Sequence, residues 1–208
     1  MKINKLFKEI DNIWYHYKPH IIVGVVVLAI VVYFIISMVN HKSTEAALNV
    51  VLTGNGIEAK QTEQFQNSAT DDILGDSQDD RVIRTDFWPY EINDPQEGAL
   101  LQKLVAMMTT HEVDVVVMDK KAFLDFASQG SFMNLDKLAK ELPKETSFID
   151  VQLQESTQDQ KQAYGILLDN NSKLKEAGFD TQNKVLAIMT NTKHKQTAIQ
   201  FVHWLLQP

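Results

Sequence analysis

The sequence predicts an α/β protein made of a single N-terminal transmembrane helix followed by one extracytoplasmic α/β domain. Three observations carry this. Ile21 to Val39 reads IIVGVVVLAIVVYFIISMV, nineteen residues without a charge. After it, short β-branched runs alternate with stretches of helical period, the pattern of an α/β layer architecture. The chain has 208 residues and no cysteine, a length suited to one ordinary domain beside the apolar segment.

At about 1.5 Å per residue, nineteen helical residues reach about 28 Å, close to the hydrocarbon thickness of a bilayer. The segment is longer than a cleavable signal core, and no small-residue cleavage site follows it directly, so the expectation is a retained single-pass anchor. Lys2, Lys5, Lys8 and Lys18 precede it and only Lys42 follows closely, which puts the N-terminus in the cytoplasm and the bulk of the chain outside the cell membrane. Residues 1–20 form the cytoplasmic and interfacial segment, in which Leu6, Phe7, Ile10, Ile13, Trp14 and Tyr17 recur at helical spacing. Trp14, Tyr15, Tyr17 and Lys18 are the candidate membrane-interface residues, since amphipathic aromatics and long cations settle at headgroup depth. The lipid bilayer is thus the first expected partner. The same helix could also dock a cytoplasmic protein.

Residues 40–46 read as a short tether and 47–208 as the α/β domain. Ala47–Thr53 is a first strand, closed by the turn signal Gly54-Asn55-Gly56. The polar, acidic stretch 57–80, with Asp71, Asp72, Asp76, Asp79 and Asp80, reads as a loop. Its carboxylates lack the spacing of a calcium-binding loop, so the expectation is no bound metal. Arg81–Asp86 is a second strand leading to Phe87, Trp88 and Tyr90 on a connection. These aromatics either fold back on the core or form an apolar wall for a ligand or partner.

Asp94-Pro95-Gln96-Glu97 carries the signals of a helix start. That helix should bury Leu100, Leu101, Leu104, Val105 and Met108 and end near His111. Val113–Met118 is apolar almost throughout, as in an inner strand covered on both faces. Asp119 follows at its carboxyl end, where open α/β sheets bind ligands; the competing role is to cap the helix Lys120–Gln129. Leu135, Leu138 and Leu142 form a stripe stopped by Pro143, and 144–161 reads as a connection. Ala163–Asp169 and Lys184–Met189 are further strands, with a small helix at Ser172–Ala177 between them. Thr192 is the expected cap of a last helix whose apolar face includes Ala198, Ile199, Val202 and Leu205. Lys193, His194 and Lys195 fall in its first turn, where positive charge opposes the helix dipole.

Several classes of chemistry have no support. Residues 43–208 hold 15 Lys and Arg against 25 Asp and Glu, the wrong balance for a nucleic-acid partner. None of the six histidines falls at a metal-ligand spacing, and no phosphate-binding glycine loop, nucleophile elbow or dinucleotide fingerprint is present, so no cofactor and no enzymatic activity are expected.

EVDVVVMDKKAFLDFASQGSFMNLDKL at 112–138, AYGILLDN at 163–170 and KVLAIMTNTKHKQTAIQFVHWLL at 184–206 together resemble the C-terminal half of extracellular solute-binding proteins with the type 2 periplasmic-binding fold. With Trp14–Lys18 and the apolar segment, the chain is similar to small membrane-anchored proteins of low-GC Gram-positive bacteria. The resemblance implies a reduced periplasmic-binding lobe that binds a small molecule or an envelope protein without catalysis. The alternative is a structural or regulatory subunit of an envelope assembly whose outer domain is only a docking surface. Phe87, Trp88, Tyr90 and Asp119 are the candidate ligand-binding residues. A cleft beside Asp119 would favour a small ligand, and a flat exposed aromatic patch a protein partner.

Overall fold

The computed structural model describes residues 20, 22–33, 46–75, 81–89, 97–154 and 161–207. The chain divides into two units, Met1–Ser43 and Thr44–Pro208. In the first, the backbone is helical over 22–33, with Val25, Leu28 and Tyr33 among its exposed apolar side chains. Among the described residues no helix is long and apolar enough to cross a membrane. The remainder of the span expected at 21–39 lies outside the described residues, as do Trp14, Tyr15, Tyr17 and Lys18.

The second unit is a mixed α/β sandwich. Strands β1 (Ala46–Gly54), β2 (Val82–Pro89), β3 (Val115–Asp119), β4 (Phe148–Val151), β5 (Gln162–Leu167) and β6 (Lys184–Ile188) form one sheet in the order β2-β1-β3-β6-β5-β4. β1 runs parallel to both β2 and β3, whereas β6 is antiparallel to β3 and β5. Helices α1 (Ala59–Leu74), α2 (Glu97–Thr109), α3 (Lys120–Ser128), α4 (Ser172–Glu176) and α5 (Lys195–Leu206) complete it.

Strand alternation sends successive side chains into two cores. Leu48, Val50, Leu52, Val115, Val117, Leu186 and Ile188 join Phe65 of α1 and Phe201 and Trp204 of α5. Val51, Val116, Met118, Val185 and Ala187 join Leu104 and Met108 of α2 and Phe123 and Ala127 of α3. The near-continuous apolar runs of β1, β3 and β6 are therefore explained by coverage on both faces.

Four local expectations are corrected. The segment 57–80 contains α1, a helix with a narrow buried stripe of Phe65 and Ala69. Its polarity has a use: Thr70 Oγ1 accepts from Ile83 N at 3.1 Å and Gln66 Oε1 from Thr85 N at 3.3 Å. The helix thereby satisfies outward donors of β2, an edge strand that would otherwise present them unpaired. β2 continues through Phe87 and Trp88, so these are strand residues and not part of a connection. The stretch 144–161 contains β4, a four-residue edge strand too short for a sequence period to reveal. Thr192 does not cap α5; His194 holds that position, and the Thr192 hydroxyl donates to Asp114 Oδ1 at 2.5 Å.

That contact belongs to a buried junction at the start of β3. Asp114, 3% exposed, also accepts from Asn49 N at 2.9 Å, and its Oδ2 lies 3.0 Å from His194 Nδ1. The carboxylate so joins β1, β3 and the entry to α5, and it is the negative charge that the Lys193-His194-Lys195 turn lacks in its own sequence.

Candidate functional site

At β1 the chain order turns: β2 lies on one side of it and β3 on the other. This divergence opens a space beyond the carboxyl ends of the parallel strands, the place where open α/β sheets gather ligands. An open crevice of about 930 Å³ lies there, lined by Gly54, Asn55 and Gly56 after β1, Pro89 at the end of β2, Asp119, Lys120, Lys121 and Leu124 from β3 and α3, and Asp180, Gln182, Asn183 and Lys184 before β6.

Its floor is an ion pair. Asp119 ends β3 and Lys184 begins β6, and the antiparallel register sets them opposite each other. Lys184 Nζ donates to Asp119 Oδ1 at 2.9 Å, with side chains 7% and 24% exposed respectively. The lysine stem runs beside Phe179, whose ring centroid is 5.9 Å from Nζ. Gly54 permits this approach, since a Cβ there would stand 2.9 Å from Phe179 Cε2 and 3.1 Å from Lys184 Nζ. Asp119 is the residue before α3, but its side chain makes no capping bond. Its carboxylate is turned to Lys184 instead, which corrects the expected capping contact.

The rim is held by backbone bonds to side chains. Asn55 Nδ2 donates to Gly178 O at 2.8 Å and Asn55 Oδ1 accepts from Asp180 N at 2.7 Å, joining the turn after β1 to the loop before β6. Asn183, in the left-handed region at φ 57°, donates its N–H to Asp169 Oδ1 at 2.8 Å and accepts from Lys120 N at 2.9 Å through its carbonyl. The exposed side chains of Lys120, Lys121, Gln182 and Asn183 surround the opening.

The sequence-derived site residues are divided by strand geometry. Phe87 and Trp88 are neighbours in β2 and face opposite sides of the sheet. Phe87 packs at 5.6 Å from Phe65 and from Phe179, edge to face. Trp88, 9% exposed, lies in the other core under Lys103, whose Nζ is 4.3 Å from the ring centroid. The pair therefore does not form a single wall. Trp88 and Asp119 border one small gap of about 20 Å³ between Leu100, Leu104 and Met118, room for about one water. Tyr90 lies outside the described residues. Of the acidic cluster, Asp72 accepts from Trp204 Nε1 at 2.8 Å, while Asp76, Asp79 and Asp80 lie outside the described residues; among those described, no group of acidic or histidine side chains is gathered to hold a metal ion.

Lys184, Asn55, Lys120, Lys121, Asp180, Gln182 and Asn183 were not singled out by sequence reasoning. An acid closing one apolar run and a lysine opening another are the available signal. They become partners only once the two strands are known to be antiparallel neighbours.

No protein-family model matches the chain, and no curated protein matches it. Among solved structures, it is similar to an extracellular solute-binding protein of family 1 from Alicyclobacillus acidocaldarius subsp. acidocaldarius DSM 446, with 21% identity and a TM-score of 0.33. The match covers 59% of this chain and spans 28% of that one.

Proposed function

We propose that this chain is a membrane-anchored binding protein, with residues 21–39 as a single span, the N-terminus in the cytoplasm, and an extracytoplasmic domain that binds a small molecule without chemistry. The observation that carries the binding role is the crevice beyond the carboxyl ends of β1 and β3, with a half-buried ion pair at its floor and a hydrogen-bonded rim. Ligand sites are concave, largely preformed, and orient their occupants with a few fixed polar groups. The span rests on the uncharged stretch Ile21–Val39 and the lysines before it.

Thermal unfolding of the full chain in nanodiscs, against sugars, amino acids, peptides and organic acids, tests the binding role. A ligand at about 100 times its Kd adds ~2.7 kcal/mol to stability. Gln182→Trp, at the exposed mouth of the crevice, should remove the shift and leave the midpoint of the ligand-free protein unchanged. A folded protein whose midpoint no class moves would sink the proposal. Anchoring is tested by carbonate washing of membranes and by protease treatment of intact cells: the chain should stay with the membrane and lose its C-terminal domain to external protease.

A second function, docking to an envelope protein, is favoured by one feature. Leu101 and Val105 of α2, expected from the sequence to be buried, and Leu124 of α3 are 37%, 42% and 39% exposed, and exposed apolar side chains are what a docking surface would use. Photo-crosslinking from position 105 in membranes would trap a discrete partner if this face is occupied, and nothing above background if it is not.

A further inference from the structure

Resting on the crevice as the binding site, we infer that its ligand is a small anion, an organic acid or a phosphate-bearing molecule, held by Lys184 at the floor and drawn in by Lys120 and Lys121 at the rim.

Lys184 is the central observation. Its ammonium has three N–H donors and lies in a side chain only 7% exposed. Among the described residues, Asp119 Oδ1 is its one hydrogen-bond acceptor. The Phe179 ring beside it supplies a face and no lone pair. A buried ammonium with donors left over is costly unless an acceptor reaches it, and the crevice is where an acceptor can arrive. The absent side chain at Gly54 keeps that space open, since a Cβ there would stand 3.1 Å from Nζ.

The charge of the lining points the same way. Among the described residues of the lining, Lys120, Lys121 and Lys184 stand against Asp119 and Asp180, an excess of positive charge within a stretch, residues 43–208, where acidic residues outnumber basic ones 25 to 15. Asp180 is already engaged through Oδ1 with Gln182 N at 2.9 Å, and Asp119 with Lys184. An incoming oxyanion competes with Asp119 for Lys184, which gives the inference a test by sign as well as by size.

The experiment is calorimetric titration of the full chain in phosphatidylcholine nanodiscs with succinate, citrate, inorganic phosphate, glycine and glucose. At least one of the three anions should bind, more weakly as salt is raised; succinate or citrate against phosphate separates carboxylate from phosphoryl recognition. Asp119→Asn, which keeps an acceptor beside Lys184 but removes the competing negative charge, should tighten that anion severalfold, a gain that damage to the fold would not produce. Lys120→Gln with Lys121→Gln should weaken it about fivefold without shifting the unfolding midpoint. Binding of glycine or glucose but of no anion overturns the anion assignment and leaves the crevice as a binding site. An anion whose affinity neither variant changes is bound elsewhere and overturns it too. If none of the five binds at ~10 mM to a chain shown folded by circular dichroism, the anion assignment falls, and a midpoint shift by peptides or other amino acids in the broader screen then decides whether the crevice binds at all.

Discussion

Lys184 and Asp119 face each other across the antiparallel β3–β6 register, ammonium to carboxylate at 2.9 Å, one nearly buried and the other a quarter exposed. Removing the lysine leaves a carboxylate that water reaches, whereas removing the carboxylate leaves a buried ammonium. Lys184→Met should therefore cost about 1–2 kcal/mol and Asp119→Ala more, about 2–3 kcal/mol. A double-mutant cycle by urea unfolding should return a coupling of ~1 kcal/mol; additivity would show that the two groups do not interact in solution.

The side chain of Asp114 is 4% exposed, against 34% for its His194 partner. Its carboxylate accepts from Asn49 N and the Thr192 hydroxyl and meets the His194 ring, so its removal takes away a tie shared by β1, β3 and the entry to α5 and leaves their buried donors unpaired. Asp114→Ala should destabilise by ~3 kcal/mol and Thr192→Val by ~1 kcal/mol, measured by chemical denaturation. Equal, small effects would assign the junction to packing rather than to hydrogen bonding.

Gly165 in β5 is required by close packing and not by backbone conformation. A Cβ there would come within 2.6 Å of both Phe123 Cζ and Val185 Cγ1, in a core where Phe123 stacks on Phe132 at 5.3 Å. Gly165→Ala should cost about 1–3 kcal/mol through overpacking, and Phe123→Leu in the same chain should recover part of it. A stable Gly165→Ala variant would mean that the strand shifts freely there.

Trp204 and Asp72 tie α5 to α1 through a 2.8 Å hydrogen bond, with Phe65 edge-on to the indole at 5.3 Å. Trp204→Phe keeps most of the packing and loses the donor, so a loss of ~1 kcal/mol is expected, with Asp72→Ala similar. Tryptophan fluorescence should report the same midpoint as circular dichroism if α1 is integral to the unit.

What could be read from the sequence divides along physical lines. β1, β3, β5, β6 and the helices α3 and α5 were legible because burial on one or two faces writes itself as a run or a period of apolar residues. α1 was not, because Gln66 and Thr70 are polar in order to serve the backbone of β2, and only Phe65 and Ala69 are buried. β4 was too short. For the site, Asp119 could be placed at a strand end from its position alone. Its partner could not, because whether Lys184 lies beside Asp119 or on the far side of the sheet depends on strand order and direction, which leave no local trace. Phe87 and Trp88 attracted attention as neighbours in sequence, yet neighbours in a strand are the two residues least able to share a wall.

The clamp made by Asn55 bears on rates. With the turn after β1 and the loop before β6 already bound to each other, the ordering of this rim is completed when the chain folds rather than when a ligand arrives. A ligand of the kind proposed would find the Asn55 side of the rim already ordered, and the field of the rim lysines would speed its arrival. Such a crevice suits following a concentration as it rises and falls better than holding a captured molecule.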